Sequence, residues 1–102
     1  MRILVVDDDP LTTTLLKKVL ELSYYVVDVA HDGEEGSYLA RTNEYDVVIL
    51  DNRLPQKQGS EVCREIRASG KTMPIIVYSV VSDTDIKTAL LDTCADDYLT
   101  KP

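Results

Sequence analysis

No apolar run in this sequence approaches the ~20 residues of a membrane span, and the first residues lack a basic-then-apolar secretory pattern. A cytoplasmic domain without membrane contact is therefore expected. Lysine and arginine never form a run, and acidic residues outnumber them 18 to 11, giving a net charge of −7. Contacts to a phosphate backbone need a basic face, so direct nucleic-acid binding by this domain is not expected. Cysteine is scarce: Cys63 and Cys94 fall in different predicted helices, lack metal-ligand spacing, and read as packed free thiols. The single histidine, His31, stands beside a turn with no second ligand type near it and reads as a solvated loop residue. Repeats, low-complexity segments and linkers are missing too. A chain of this length then forms one domain, residues 1–102, with a real core.

What is present is a set of short apolar runs that stop at polar residues. Val47 to Leu50 runs without alternation into Asp51, as suits a strand covered on both faces. Arg2 to Val6 ends likewise at Asp7, Asp8 and Asp9. Asp9 fits a helix N-cap and Pro10 the first helical position, followed by an apolar face of Leu11, Leu15, Leu16, Val19, Leu20 and Leu22. Tyr25 to Ala30 is a strand interrupted by Asp28, which suggests a sheet edge. A weakly amphipathic helix spans Glu34 to Arg41, and another runs from Ser60 to about Ala68, closed by Gly70. Pro74 to Tyr78 is a strand ending at Ser79. Ser82 or Asp83 then caps a helix carrying Ile86, Ala89 and Leu90 inward, and Tyr98 to Thr100 is a last strand before Lys101 and Pro102. The alternation implies an α/β fold with a doubly wound, five-stranded parallel sheet. Strand order 2-1-3-4-5 follows from placing the interrupted second strand at the edge.

In such a sheet the carboxyl ends of the strands converge on one rim. Asp7, Asp8, Asp51, Ser79 and Lys101 all stand there, and together they resist explanation as caps and turns. The three carboxylates and one ammonium leave a local excess that one divalent cation would balance. All-oxygen ligands beside a phosphoryl group favour Mg²⁺. A carboxylate neutralised in this way can attack phosphorus, with Lys101 and Ser79 meeting the transferring oxygens.

The segments Val5-Val6-Asp7-Asp8-Asp9-Pro10, Leu50-Asp51 with Leu54-Pro55 and Gly59, Pro74 to Ser79, and Ala95 to Pro102 closely resemble the receiver domain of bacterial two-component response regulators. The resemblance covers the whole chain and implies a flavodoxin-like receiver. It implies that Asp51 accepts a phosphoryl group from the phosphohistidine of a sensor histidine kinase. Asp8 and Asp51 would bind Mg²⁺ directly, Asp7 through water and Arg53 through its main-chain carbonyl. Lys101 would pair with the phosphoryl group and Ser79 would move to meet it. Tyr98, which spacing alone reads as an edge aromatic with its hydroxyl in water, becomes the switch aromatic. Arg53 and Val81 occupy the positions that tune phosphoryl lifetime, and the Lys101–Pro102 bond is often cis in the family. The switched surface would involve the fourth helix and fifth strand and control an output domain, of the DNA-binding winged-helix type by analogy, or a separate protein partner.

Departures from the family pattern stand beside these matches. Cys94 replaces a customary Gly, which strains the turn if positive φ is needed there. Val80 is bulkier than the usual small residue, and Gln56, Lys57 and Gln58 lack the acidic residue often found before Gly59. The sequence stops before the family's fifth helix, so an apolar face is expected to be left for a homodimer or a further segment to bury. Two other functions compete with this one: a degenerate receiver acting as a phosphorylation-independent binding module, and an Asp-nucleophile phosphatase. Against the latter, Arg53 stands where a second Asp would serve as general acid.

Overall fold

A computed structural model describes residues 1–79 and 94–100. Its elements are β1 (Arg2–Val6), α1 (Pro10–Leu22), β2 (Val26–Ala30), α2 (Gly33–Thr42), β3 (Val47–Asp51), α3 (Gly59–Ala68), β4 (Ile75–Ser79) and β5 (Asp97–Thr100). The expected helix after Ser79, together with Val80, Val81, Lys101 and Pro102, lies outside the described residues. The strands form one parallel sheet in the order β2-β1-β3-β4-β5, as the sequence implied.

Strand alternation sorts the core onto two faces. Leu4 and Val6 of β1, Val48 and Leu50 of β3, and Ile75 and Val77 of β4 meet Ala40 of α2 and Val62, Cys63 and Ile66 of α3. On the other face, Ile3, Val5 and Val27 pack against Leu16 and Leu20 of α1. Gly36 lets α2 lie close on β1, since a Cβ there would sit 2.7 Å from Cγ1 of Val6.

The caps follow the sequence. Asp9 accepts from the backbone N–H of Leu11 at 3.1 Å and from the Thr12 hydroxyl at 2.7 Å, with Pro10 opening α1. Asp32, read only as turn material, caps α2 by accepting from the Glu35 N–H at 2.7 Å. Gly70 ends α3 with φ of +91°. Of the apolar face of α1, Leu11, Leu15, Val19 and Leu22 are exposed, because the sheet meets only the flank carrying Leu16 and Leu20. One reading needs correction. Cys94 lies in the turn before β5 rather than in a helix, its carbonyl accepting from Nε of Arg67 at 3.0 Å. The φ that decides strain at Cys94 depends on residue 93, outside the described residues. Both cysteines are buried, and burial together with the Cys94 contact pushes the Cys63 thiol well up. His31 is exposed, as expected. Among the described residues, no helix is long and apolar enough to cross a membrane.

Candidate functional site

The register of the three central strands builds the site. Val6 pairs with Leu50, and Asp51 pairs with Tyr78, so Asp7 falls beside Asp51 just past the end of β1. Carboxylate oxygens of Asp7, Asp8 and Asp51 all lie within 4.8 Å of one another. Asp7 is fully buried, Asp51 nearly so, and Asp8 exposed. Two buried carboxylates and an exposed third make a hard, all-oxygen donor set open to solvent on one side. That set fits a single divalent cation of the Mg²⁺ type.

Backbone amides fix the two buried carboxylates. Asp7 Oδ1 accepts from the N–H of Asp9 at 2.9 Å, and Asp51 Oδ1 accepts from the N–H of Arg53 at 3.2 Å. Asp7 Oδ2 accepts from the hydroxyl of Tyr78, a contact that the sequence reading missed. Burial and this bond to Asp7 both drive the Tyr78 phenol well above its usual range, so at neutral pH it is a donor. The missed signal was parity: Asp51 and Tyr78 are paired, and Asp7 shares their face of the sheet.

The chain leaving β3 walls one side. Asn52, Arg53, Leu54, Pro55, Gln58, Ser60 and Asp8 line an open cleft of about 590 Å³. Gly59 donates its N–H to the Asn52 carbonyl at 2.8 Å, and a Cβ at Gly59 would stand 2.5 Å from the carbonyl oxygen of Asp51. Only glycine allows α3 to start this close to the acidic residues. Gln56 has φ of +74°, and the N–H groups of Gly33 and Lys57 both donate to the Pro55 carbonyl. Lys57 Nζ reaches Glu65 of α3 at 2.6 Å and Glu34 of α2 at 3.4 Å. A larger groove of about 640 Å³, lined by residues including Glu44, Lys71 and Met73, lies where the chain enters β3 and β4, at the end of the sheet away from the carboxylates.

Of the remaining expected residues, Ser79 is fully buried at the end of β4. Tyr98 sits on edge strand β5, yet is 5% exposed and belongs to the main core. It is thus an aromatic on an edge strand, as its spacing suggests, but one buried in the core. Arg53 is exposed beside Asp51, while Lys101 and Val81 lie outside the described residues.

Comparison with known proteins agrees with this arrangement. The family described as "Response regulator receiver domain" matches residues 3–102. Protein RcaC of Microchaete diplosiphon is 42% identical over 102 residues, which are 100% of this chain and 16% of that protein. Response regulator MprA of Mycobacterium avium is 41% identical over the same length, covering 100% of this chain and 45% of the relative. The chain thus spans less than half of either. The solved structure of response regulator protein TrrA from Thermotoga maritima, in complex with Mg²⁺-BeF, superposes with a TM-score of 0.85 at 39% identity. That match covers 99% of this chain and 86% of the other.

Proposed function

The chain belongs to the response regulator receiver family, and from that premise we propose that Asp51 is its phosphoacceptor, phosphorylated in a Mg²⁺-dependent reaction by a sensor histidine kinase. The observation that carries this reading is the convergence of Asp7, Asp8 and Asp51 within 4.8 Å at the ends of β1 and β3. Asp8 and Asp51 would hold Mg²⁺ directly, Asp7 through water, and Arg53 through its main-chain carbonyl. When bound, Mg²⁺ supplies positive charge to the oxygens of the transferring group. Asp51 would attack phosphorus with its other carboxylate oxygen while the Arg53 N–H holds Oδ1. The new O–P bond forms as the P–N bond to the donor imidazole breaks, and the electron pair stays on the imidazole nitrogen. Lys101 and Ser79 are assigned to the phosphoryl oxygens, and Arg53 and Val81 to tuning how long the product lasts.

Phosphorylation adds charge and acceptor oxygens beside Ser79, at the end of the strand that pairs with β5. Tyr98, already packed in the core, would change its packing as Ser79 moves. The altered surface around β5 and the helix expected before it would be read by an output domain in a longer protein, or by a separate partner. MprA and RcaC, both longer than this chain, agree with a module that serves further domains. The phosphorylated chain would also hydrolyse its own aspartyl phosphate slowly, without turning over a metabolic substrate.

Incubation with Mg²⁺ and acetyl phosphate, followed by intact-mass spectrometry, tests the reading. One labile phosphoryl group is expected on the wild type and none on Asp51→Asn or in excess EDTA. Unchanged mass under all conditions would leave a phosphorylation-independent binding module. Rapid release of phosphate from a simple phosphoester would point to a phosphatase instead.

A further inference from the structure

Asp7 and Tyr78 belong to strands that are not neighbours. β3 lies between β1 and β4, so two strand spacings, roughly 10 Å, separate their backbones. Tyr78 is paired with Asp51, and its hydroxyl nevertheless bonds Asp7 on the far side of β3. The phenol therefore spans the strand that ends in the proposed phosphoacceptor. Asp7 is fully buried and Tyr78 is 9% exposed, so water does not compete freely for either end of this bond.

The consequence for Asp7 is specific. One oxygen takes the Asp9 N–H at 2.9 Å and the other takes the Tyr78 O–H, so donors on opposite sides clamp the carboxylate. A carboxylate oxygen carries two lone pairs, so accepting one hydrogen bond does not by itself close it to a further contact. Without the phenol, a buried anion close to Asp8 and Asp51 would lose one of its two named donors. Its rotamer would then be held less firmly against repulsion from those neighbours.

We propose that Tyr78 is a positioning residue for the cation site, its hydroxyl holding Asp7 in the orientation that lets Asp7, Asp8 and Asp51 share one divalent ion. This inference rests on the Mg²⁺ reading above and adds to it a residue on a different strand. Hydrogen bonds that orient a metal-binding carboxylate from behind are worth about 10–100-fold in metal affinity.

The test is a Mg²⁺ titration of the whole chain by calorimetry, without any phosphodonor, comparing wild type with Tyr78→Phe. The variant keeps the ring and loses only the hydroxyl. Urea unfolding checks that it folds. Mg²⁺ binding about 10-fold weaker in the folded variant is the expected result. A merely structural phenol would lower the unfolding midpoint and leave the Mg²⁺ dissociation constant unchanged, and that outcome overturns the proposal while the metal reading stands. Wild type that fails to bind Mg²⁺ at all overturns both. Should Tyr78→Phe not fold, wild type labelled with ¹³C-tyrosine decides the matter. The Tyr78 ring resonances must shift with Mg²⁺, while those of Tyr45, whose hydroxyl is committed to Asp28 at 2.7 Å, must not. Equal or absent shifts at both rings count against the proposal.

Discussion

Asp28 is a charge placed inside a strand, and its environment explains how β2 tolerates it. Its Oδ2 accepts from the Tyr45 hydroxyl at 2.7 Å and from Nη2 of Arg2 at 2.8 Å, and the Arg2 guanidinium lies 4.9 Å from the centre of the Tyr45 ring. The Tyr45 bond, then Arg2, hold the Asp28 carboxyl below its ordinary 3.8, against the opposing effect of burial. Burial, then the bond to Asp28, push Tyr45 from 10.0 up to about 12. The signs are opposite. Asp28 favours the folded state above its unfolded value and loses that contribution as pH falls below about 4. Tyr45 favours it below pH 10 and loses its contribution as pH rises through 12. Tyr45→Phe should therefore shallow the alkaline decline in stability and move the Asp28 titration upward in a carboxyl ¹³C experiment. Because Asp28 is about one-third exposed, the cost near neutrality should be only about 1 kcal/mol. An Asp28 midpoint that stays put in the variant would mean Arg2 alone sets it.

At the scale of elements, the turn from β3 into α3 divides what the sequence could tell from what it could not. The strand, its terminal Asp51, the helix and the closing Gly70 were all legible, because each is a local pattern of apolar runs and chain-stopping residues. The close approach at Gly59 was not, because it depends on the backbone of Asp51 and Asn52 rather than on Gly59's own neighbours. Gly59→Ala should cost about 1–3 kcal/mol in urea unfolding, since the atoms it would strike are backbone atoms that cannot swing away. The ion pairs of Lys57 with Glu34 and Glu65 were equally invisible, joining residues of α2 and α3 that only the fold brings together. By contrast, the missing acidic residue before Gly59 has a visible consequence. Gln58 stands at the α3 N-cap with φ −67° and ψ 154°, extended geometry suited to a cap, and makes no side-chain capping bond. Gln58→Asp should supply one and stabilise the chain by about 1 kcal/mol, a melting rise of roughly 4–8 °C. An unchanged melting temperature would mean that crowding with Asp8, across the same cleft, offsets the cap.

For the whole molecule, the described residues cover the two sheet faces unequally, an outcome that the family resemblance led one to expect and that no local pattern alone conveys. The face under α2 and α3 holds a continuous buried core, whereas Leu16, Leu20, Val29, Val47 and Ile49 on the α1 face are only partly buried. The outer stripe of α1 remains in solvent, with Leu11 and Leu22 each 80% exposed, Leu15 63% and Val19 52%. Helical periodicity identified these residues as apolar and aligned, but burial depends on what lies opposite, which periodicity does not encode. An aligned stripe of exposed leucines is adhesive, and the 102-residue chain should self-associate as its concentration rises. Leu15→Glu combined with Val19→Lys tests this directly. The pair introduces an i, i+4 ion pair in the favourable order on exposed positions, so stability should change by no more than about 0.5 kcal/mol. Sedimentation velocity should then give a weight-average coefficient independent of concentration for the variant and a rising one for the wild type. A wild type that remains monomeric over the same range would show that residues beside the stripe already shield it in solution. Equal association of both chains would place the contact on another surface.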